Sequence, residues 1–148
     1  MDRGATLMLT QDVEIATLLR ETRTIALVGA SDRPHRPSNG VMRSLLAHGY
    51  RVIPVNPQLA GTEINGVAVV ATLSDIAEPI DLVDIFRNSA AAGETVDAAI
   101  AVGAKAVWLQ LGVINLEAAA RAEAAGLQVV MDRCPAIDIP RLAIPRIA

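Results

Sequence analysis

The chain has 148 residues, 52% hydrophobic and 20% charged, with a formal net charge of −3. That length and apolar content support one domain with a substantial core, and the lack of a basic surplus argues against a general nucleic-acid binder. Its aromatic residues are Tyr50, Phe86 and Trp108 alone, too few for a base-stacking platform.

Residues 1–10 have no basic segment followed by a long apolar run, so no secretory signal is expected. No apolar run anywhere reaches the ~18 residues of a membrane span. Residues 11–21 place Val13, Ile15, Ala16, Leu18 and Leu19 at helical spacing, with Asp12 as the expected N-cap. A first strand is predicted over 24–28. It runs into Gly29-Ala30-Ser31 and a polar loop holding Arg33 and Arg36, and a helix follows over about 38–48 with Gly49 at its end. Strand, small-residue turn and helix N-terminus together offer backbone amides and a positive dipole end to an anion. The order points to a phosphate-bearing ligand. The bland alternatives are a tight turn and two solvated arginines.

A second strand, 51–55, ends at Asn56-Pro57. A dinucleotide site would carry an Asp or Glu at such a position, roughly 20 residues past the glycine turn, to receive the ribose hydroxyls. A neutral Asn56 with Arg33 and Arg36 nearby suits a ligand with extra phosphate better than a bare ribose. An NAD(P)-dependent oxidoreductase or redox module is the runner-up. Asn56 could equally serve only to shape the Asn-Pro turn.

Beyond a turn-rich connection, 67–70 reads as a short strand and 74–77 as one helical turn. Further strands are predicted over 82–86, 106–111 and 127–131, and helices over 93–102 and 116–125, the latter capped by Asn115 and ended by Gly126. A core over about 21–135 would then be followed by a proline-rich C-terminal tail, 135–148. Continuous apolar strands alternating with helices describe a Rossmann-like, doubly wound parallel α/β sheet. Order 3-2-1-4-5 is predicted, with the ligand beyond the carboxyl ends near the switch between the first and fourth strands. Asp84, inside an apolar strand, needs a hydrogen-bonding partner. Trp108 reads as core. Cys134 reads as a small buried hydrophobe or, alternatively, a thiol facing the ligand. A single cysteine fits a reducing, cytoplasmic setting. His35 and His48 fit no metal-ligand spacing, and no catalytic motif is present, so neither a metal site nor a catalytic residue is expected.

Gly29-Ala30-Ser31, Arg36-Pro37-Ser38, Gly49-Tyr50, Val55-Asn56-Pro57, Asp84-Ile85-Phe86-Arg87, Gly103-Ala104-Lys105, Trp108 to Gly112 and Met131 to Cys134 form one ordered series. Together they resemble the stand-alone bacterial and archaeal CoA-binding proteins, which are similar to the N-terminal domain of the succinyl-CoA synthetase α subunit. The resemblance covers residues 21–135. It implies coenzyme A or an acyl-CoA as ligand. The Gly29–Ser31 turn, Arg36 and Ser38 would hold the diphosphate. Val55, Asn56 and Pro57 would line the adenosine side, and Phe86 with Arg87 the adenine edge. The synthetase subunit has a lysine shortly after its second strand, where Gln58 and Leu59 stand here. The synthetase's phosphohistidine lies in a later domain, so a binding protein rather than an enzyme is expected. Sensing, carrying or presenting CoA are the roles that fit, with a homodimer or a second protein as possible macromolecular partner and neither nucleic acid nor membrane.

Overall fold

The computed structural model describes residues 7–148; the start of the N-terminal stretch read for a signal, residues 1–6, lies outside the described residues. The element order is α1 (Asp12–Glu21), β1 (Thr24–Val28), α2 (Pro37–Ala47), β2 (Arg51–Val55), a small hairpin of β3 (Glu63–Ile64) and β4 (Val67–Ala68), and a 3-10 turn over Leu73–Asp75. It continues with β5 (Leu82–Ile85), α3 (Ser89–Ala101), β6 (Ala106–Leu109), α4 (Leu116–Ala124), β7 (Gln128–Met131) and α5 (Pro135–Arg141).

The large strands form one five-stranded sheet, parallel throughout, in the order β2-β1-β5-β6-β7. Doubly wound α/β architecture is thus present, but the predicted order 3-2-1-4-5 is corrected. The third large strand, β5, lies beside β1 rather than beyond β2. Pro54 explains why β2 belongs at the edge. Val55 faces β1, because its carbonyl accepts from the amide of Gly29 at 3.1 Å. Pro54 therefore faces outward, where its missing N–H costs no ladder bond. Its carbonyl accepts from Val70 at 3.1 Å, and the amide of Asn56 returns to the Val70 carbonyl at 3.0 Å. The other edge, β7, is covered by residues 7–9: Leu9 donates to the Val129 carbonyl and Val129 to that of Leu7. The chain reverses direction across the sheet at β1 and β5, so the switch point falls there and not between the first and fourth large strands.

Both faces of the sheet are buried, as unbroken apolar strands require. One face packs Ile25, Leu27, Leu82, Trp108 and Val130 with Ile15 and Leu19 of α1 and Met42 and Leu45 of α2. The opposite face packs Ala26, Val83, Ile85, Val107 and Val129 with Val96 of α3 and Ala118 and Ala122 of α4. The segment expected to be a proline-rich tail instead forms α5 and joins the first core through Ile139, Ile144 and Ile147. Pro135 opens α5, where a proline is accommodated because the first helical amide is unpaired anyway. Helix α3 begins at Ser89, four residues before the predicted start, because Asn88 caps it by accepting from the amide of Ala91 at 2.8 Å. Helix α1 is preceded by Gln11 rather than by an Asp12 cap, and Glu14 accepts from the Gln11 amide at 3.1 Å.

Candidate ligand groove at the carboxyl edge

The Gly29 turn is held from both sides by asparagines. Gly29 has a φ of +87°, and a Cβ there would lie 2.2 Å from the carbonyl oxygen of Phe86. Only glycine lets the turn lie against β5 this closely. Asn56, at the end of β2, donates from Nδ2 to the Ala30 carbonyl at 2.8 Å. Buried Asn39, in the first turn of α2, donates from Nδ2 to the Ser31 carbonyl at 2.8 Å. A trans peptide is planar, so each N–H points opposite to the carbonyl preceding it. Drawing the Ala30 and Ser31 carbonyls toward the asparagines therefore turns the amides of Ser31 and Asp32 away from them. Among the described residues these two amides, and that of Ser38 in the first turn of α2, have no hydrogen-bond partner. They add to the positive end of the α2 dipole.

This geometry revises which amides can receive a phosphate. The Gly29 and Ala30 amides both donate to the Val55 carbonyl, at 3.1 and 3.4 Å, so they fix the turn and are not free. The available donors start at Ser31. Asn56 is likewise occupied at both ends, since its Oδ1 accepts from the Gln58 amide at 2.9 Å. Its place in the fold is that of a brace for the turn. Asn39 played no part in the sequence reading; an Asn three residues after Arg36 in a helix start was the available signal.

A groove runs from this turn across the ends of β1, β2 and β5. Its first cavity, about 440 Å³, is lined by Gly29, Ala30, Ser31, Arg36, Ser38, Asn56 and Phe86, with Arg33 and Asp32 at the rim loop. A second, about 260 Å³, shares Gly29, Asn56 and Gln58 with the first and adds Val55, Pro57 and Arg87. A third, about 250 Å³, continues along Val55, Pro57 and Arg87 to Thr72, Leu73 and Thr95 on α3. The structure thus gathers every residue singled out for binding along one groove. It separates Phe86 from Arg87, however: Phe86 lines the first cavity and Arg87 the other two.

Arg33, Arg36 and Arg87 are exposed, and among the described residues none of their guanidinium groups makes an ion pair or hydrogen bond. Asp32 and Glu94 are the acids along the groove. An acidic protein therefore keeps an excess of unpaired guanidinium charge at this edge.

The remaining polar candidates lie outside the groove. Asp84 is fully buried, and burial pushes its carboxyl well above the usual range. Its partner is the Gln110 side-chain amide, which in the orientation that satisfies both groups donates to the two carboxylate oxygens at 2.9 and 3.2 Å. Trp108 is fully buried and donates from Nε1 to the Arg133 carbonyl at 2.8 Å. Cys134 is buried and lines none of the three cavities, in keeping with a small core residue. Arg133 and Arg141 both pair with buried Asp138, which anchors the exit from β7 to α5. Among the described residues no group of three or more His, Cys, Asp or Glu is placed to hold a metal ion, and no helix is long and apolar enough to cross a membrane.

A parallel sheet with unpaired amides and arginines beside its switch point defines a Rossmann-like protein with a cationic groove. The chain belongs to the CoA-binding domain family, whose model matches residues 23–140. It is 38% identical over 121 residues to the uncharacterized protein YneT of Bacillus subtilis, covering 82% of this chain and 88% of that protein. It is also similar to a hypothetical protein from Pyrococcus horikoshii OT3, at 39% identity and a TM-score of 0.87, covering 97% of this chain and 99% of the other. A larger protein carries a related fold: the dinucleotide-forming acetyl-coenzyme A synthetase 1 of Ca. Korarchaeum cryptofilum. There the TM-score is 0.70 at 25% identity, and the match covers 77% of this chain but 26% of the synthetase.

Proposed function

We propose that this protein binds coenzyme A or an acyl-CoA in the carboxyl-edge groove and does no chemistry on it by itself. The observation that carries the reading is the pairing of unpartnered amides at Ser31, Asp32 and Ser38 with the unpaired Arg33 and Arg36 in one cavity. This suits a diphosphate, since charge-assisted contacts to amides and guanidinium groups are the strong ones. The second and third cavities offer the adenosine a wall of Val55 and Pro57. Among the described residues the groove lining contains no histidine and no cysteine, and the Ser31 hydroxyl, which accepts from the Arg33 amide at 3.1 Å, donates to no general base. Sensing, carrying or presenting CoA to a partner fits such a site, and the single cysteine favours a reducing, cytoplasmic compartment.

Calorimetric titration with CoA, acetyl-CoA, NAD and NADP tests the reading. CoA or acetyl-CoA is expected to bind tightest, and tighter binding of NAD would overturn it. The non-catalytic part would be overturned by steady acyl-CoA formation from CoA, a carboxylic acid and a nucleoside triphosphate at a rate proportional to protein concentration.

A further inference from the structure

Cationic charge occurs at two separate places along the groove. Arg33 and Arg36 line the first cavity only. Arg87 lines the second and third, which neither of the others reaches. Between the two places lie Asn56 and Gln58, where a dinucleotide site would read ribose hydroxyls with an acid. Asn56 is spent on bracing the turn, and Gln58 is neutral. Glu94 lines the third cavity with Arg87 but makes no ion pair with it. An exposed arginine with no partner, beside an amide-lined ribose position that lacks an acid, is placed to receive a second anion. A nucleotide with one phosphate cluster leaves that charge unmatched. One carrying a further monophosphate on its ribose uses both places.

We infer that Arg87 is the specificity residue for a phosphate on the ligand's ribose, the 3′-phosphate if the ligand is CoA. The inference rests on the CoA reading above. A planar guanidinium can hold such a dianion through two parallel hydrogen bonds, which a neutral amide cannot match.

The test measures binding of CoA, dephospho-CoA, adenosine 3′,5′-bisphosphate and adenosine 2′,5′-bisphosphate to the wild type and to Arg87→Ala, Arg87→Lys and Arg36→Ala. Arg87→Ala is expected to weaken CoA by about 10- to 150-fold and dephospho-CoA by less than about twofold, with Arg87→Lys in between. Arg36→Ala is expected to weaken both ligands by a similar factor. Equal loss of CoA and dephospho-CoA in Arg87→Ala would overturn the assignment while leaving the CoA reading in place. Preference of the wild type for the 2′,5′-bisphosphate would overturn it in favour of an NADP-like phosphate. Failure of the wild type to bind any of the four would overturn the CoA reading, and the assignment with it.

Discussion

The two edges of the sheet are built from the same strands and treat charge differently at β1, β2 and β5. At the amino edge, ion pairs form. Asp81 accepts from the amides of Arg23 and Thr24 at 3.0 and 2.9 Å and pairs with Lys105 at 3.2 Å, and Arg51 pairs with Glu78. The C-terminal segment closes over this edge. The Ile147 amide donates to the His48 carbonyl, Arg146 donates to the Ala47 carbonyl, and Gly49 lies against the Ile147 backbone. At the carboxyl edge, three exposed arginines and the amides of Ser31, Asp32 and Ser38 have no partner among the described residues. Unmatched donors cost least where water solvates them, and they gain most when an anion displaces that water. The lesson is that one edge is finished by the chain itself, whereas the other keeps free donors.

The largest expected effect comes from a pair of glycines that serve the two edges alike. Gly29 and Gly49 have φ values of +87° and +103°, and a Cβ on either would lie 2.2 Å from a backbone carbonyl oxygen. Gly29→Ala and Gly49→Ala should each cost roughly 2–4 kcal/mol, from the left-handed conformation and the forced backbone shift. Urea unfolding reads that loss. Gly29→Ala should also weaken CoA more than tenfold, whereas Gly49→Ala should leave CoA affinity unchanged in the folded fraction. Equal effects on binding would dissolve the contrast between the edges.

Charge substitutions should separate the edges in the same way. Arg36→Ala is expected to weaken CoA by about 10- to 150-fold, with stability changed by no more than about 0.5 kcal/mol. Arg33→Ala should weaken CoA less, because Arg36 sits at the start of α2 beside the free Ser38 amide. At the other edge, Asp81→Ala should remove about 1–2 kcal/mol of stability and leave binding intact. A stability loss for Arg36→Ala equal to that of Asp81→Ala would show that the carboxyl-edge arginine is structural.

A smaller effect depends on pH. Asp84 and Asp81 titrate with opposite signs. Burial alone raises the Asp84 carboxyl. Between the unfolded value near 3.8 and the raised folded one, the native state holds a proton that the unfolded chain has lost, so stability falls as pH rises through that window. For Asp81, burial acts upward, but the amides of Thr24 and Arg23 and the Lys105 ammonium outweigh it and lower the carboxyl. Its contribution is present above the unfolded value and is lost as pH falls toward the folded one. Asp84→Asn should therefore raise the melting temperature relative to wild type at pH 7, with a gain that shrinks toward pH 4. A gain independent of pH would show that the Asp84 carboxyl titrates alike in the folded and unfolded protein, without the upward shift.

How far this comparison was legible in the sequence follows from the range of the interactions. Strand positions and the Gly29 turn could be read because they depend on neighbouring residues: an apolar run, a small residue, a helix start. Residues with family-typical neighbours, from Arg36 to Arg87, could be gathered onto one edge for the same reason. The sheet order was misread because strand pairing is non-local, although Pro54 carried the signal that its strand lies at the edge of the large sheet. Helix α5 was hidden by Pro135 and Pro140, which in a sequence resemble breakers. The bracing of Ser31 by Asn39 and the pairing of Arg23 and Lys105 around Asp81 depend on contacts that only the folded chain creates. Which arginines stay unpaired was therefore not visible until the acids had found their partners.

The central claim is that the carboxyl edge is open for a ligand while the amino edge is closed by the chain's own charges. Amide-resolved NMR during titration with CoA tests it most directly. The account predicts that the largest shifts at saturation fall on Ser31, Asp32 and Ser38, followed by Asn56, Gln58, Leu59 and Arg87, while Gly49, Asp81 and Ile147 stay unmoved. Shifts concentrated at Gly49, Asp81 and Ile147, or none at Ser31 and Asp32 in the CoA-loaded protein, would contradict it.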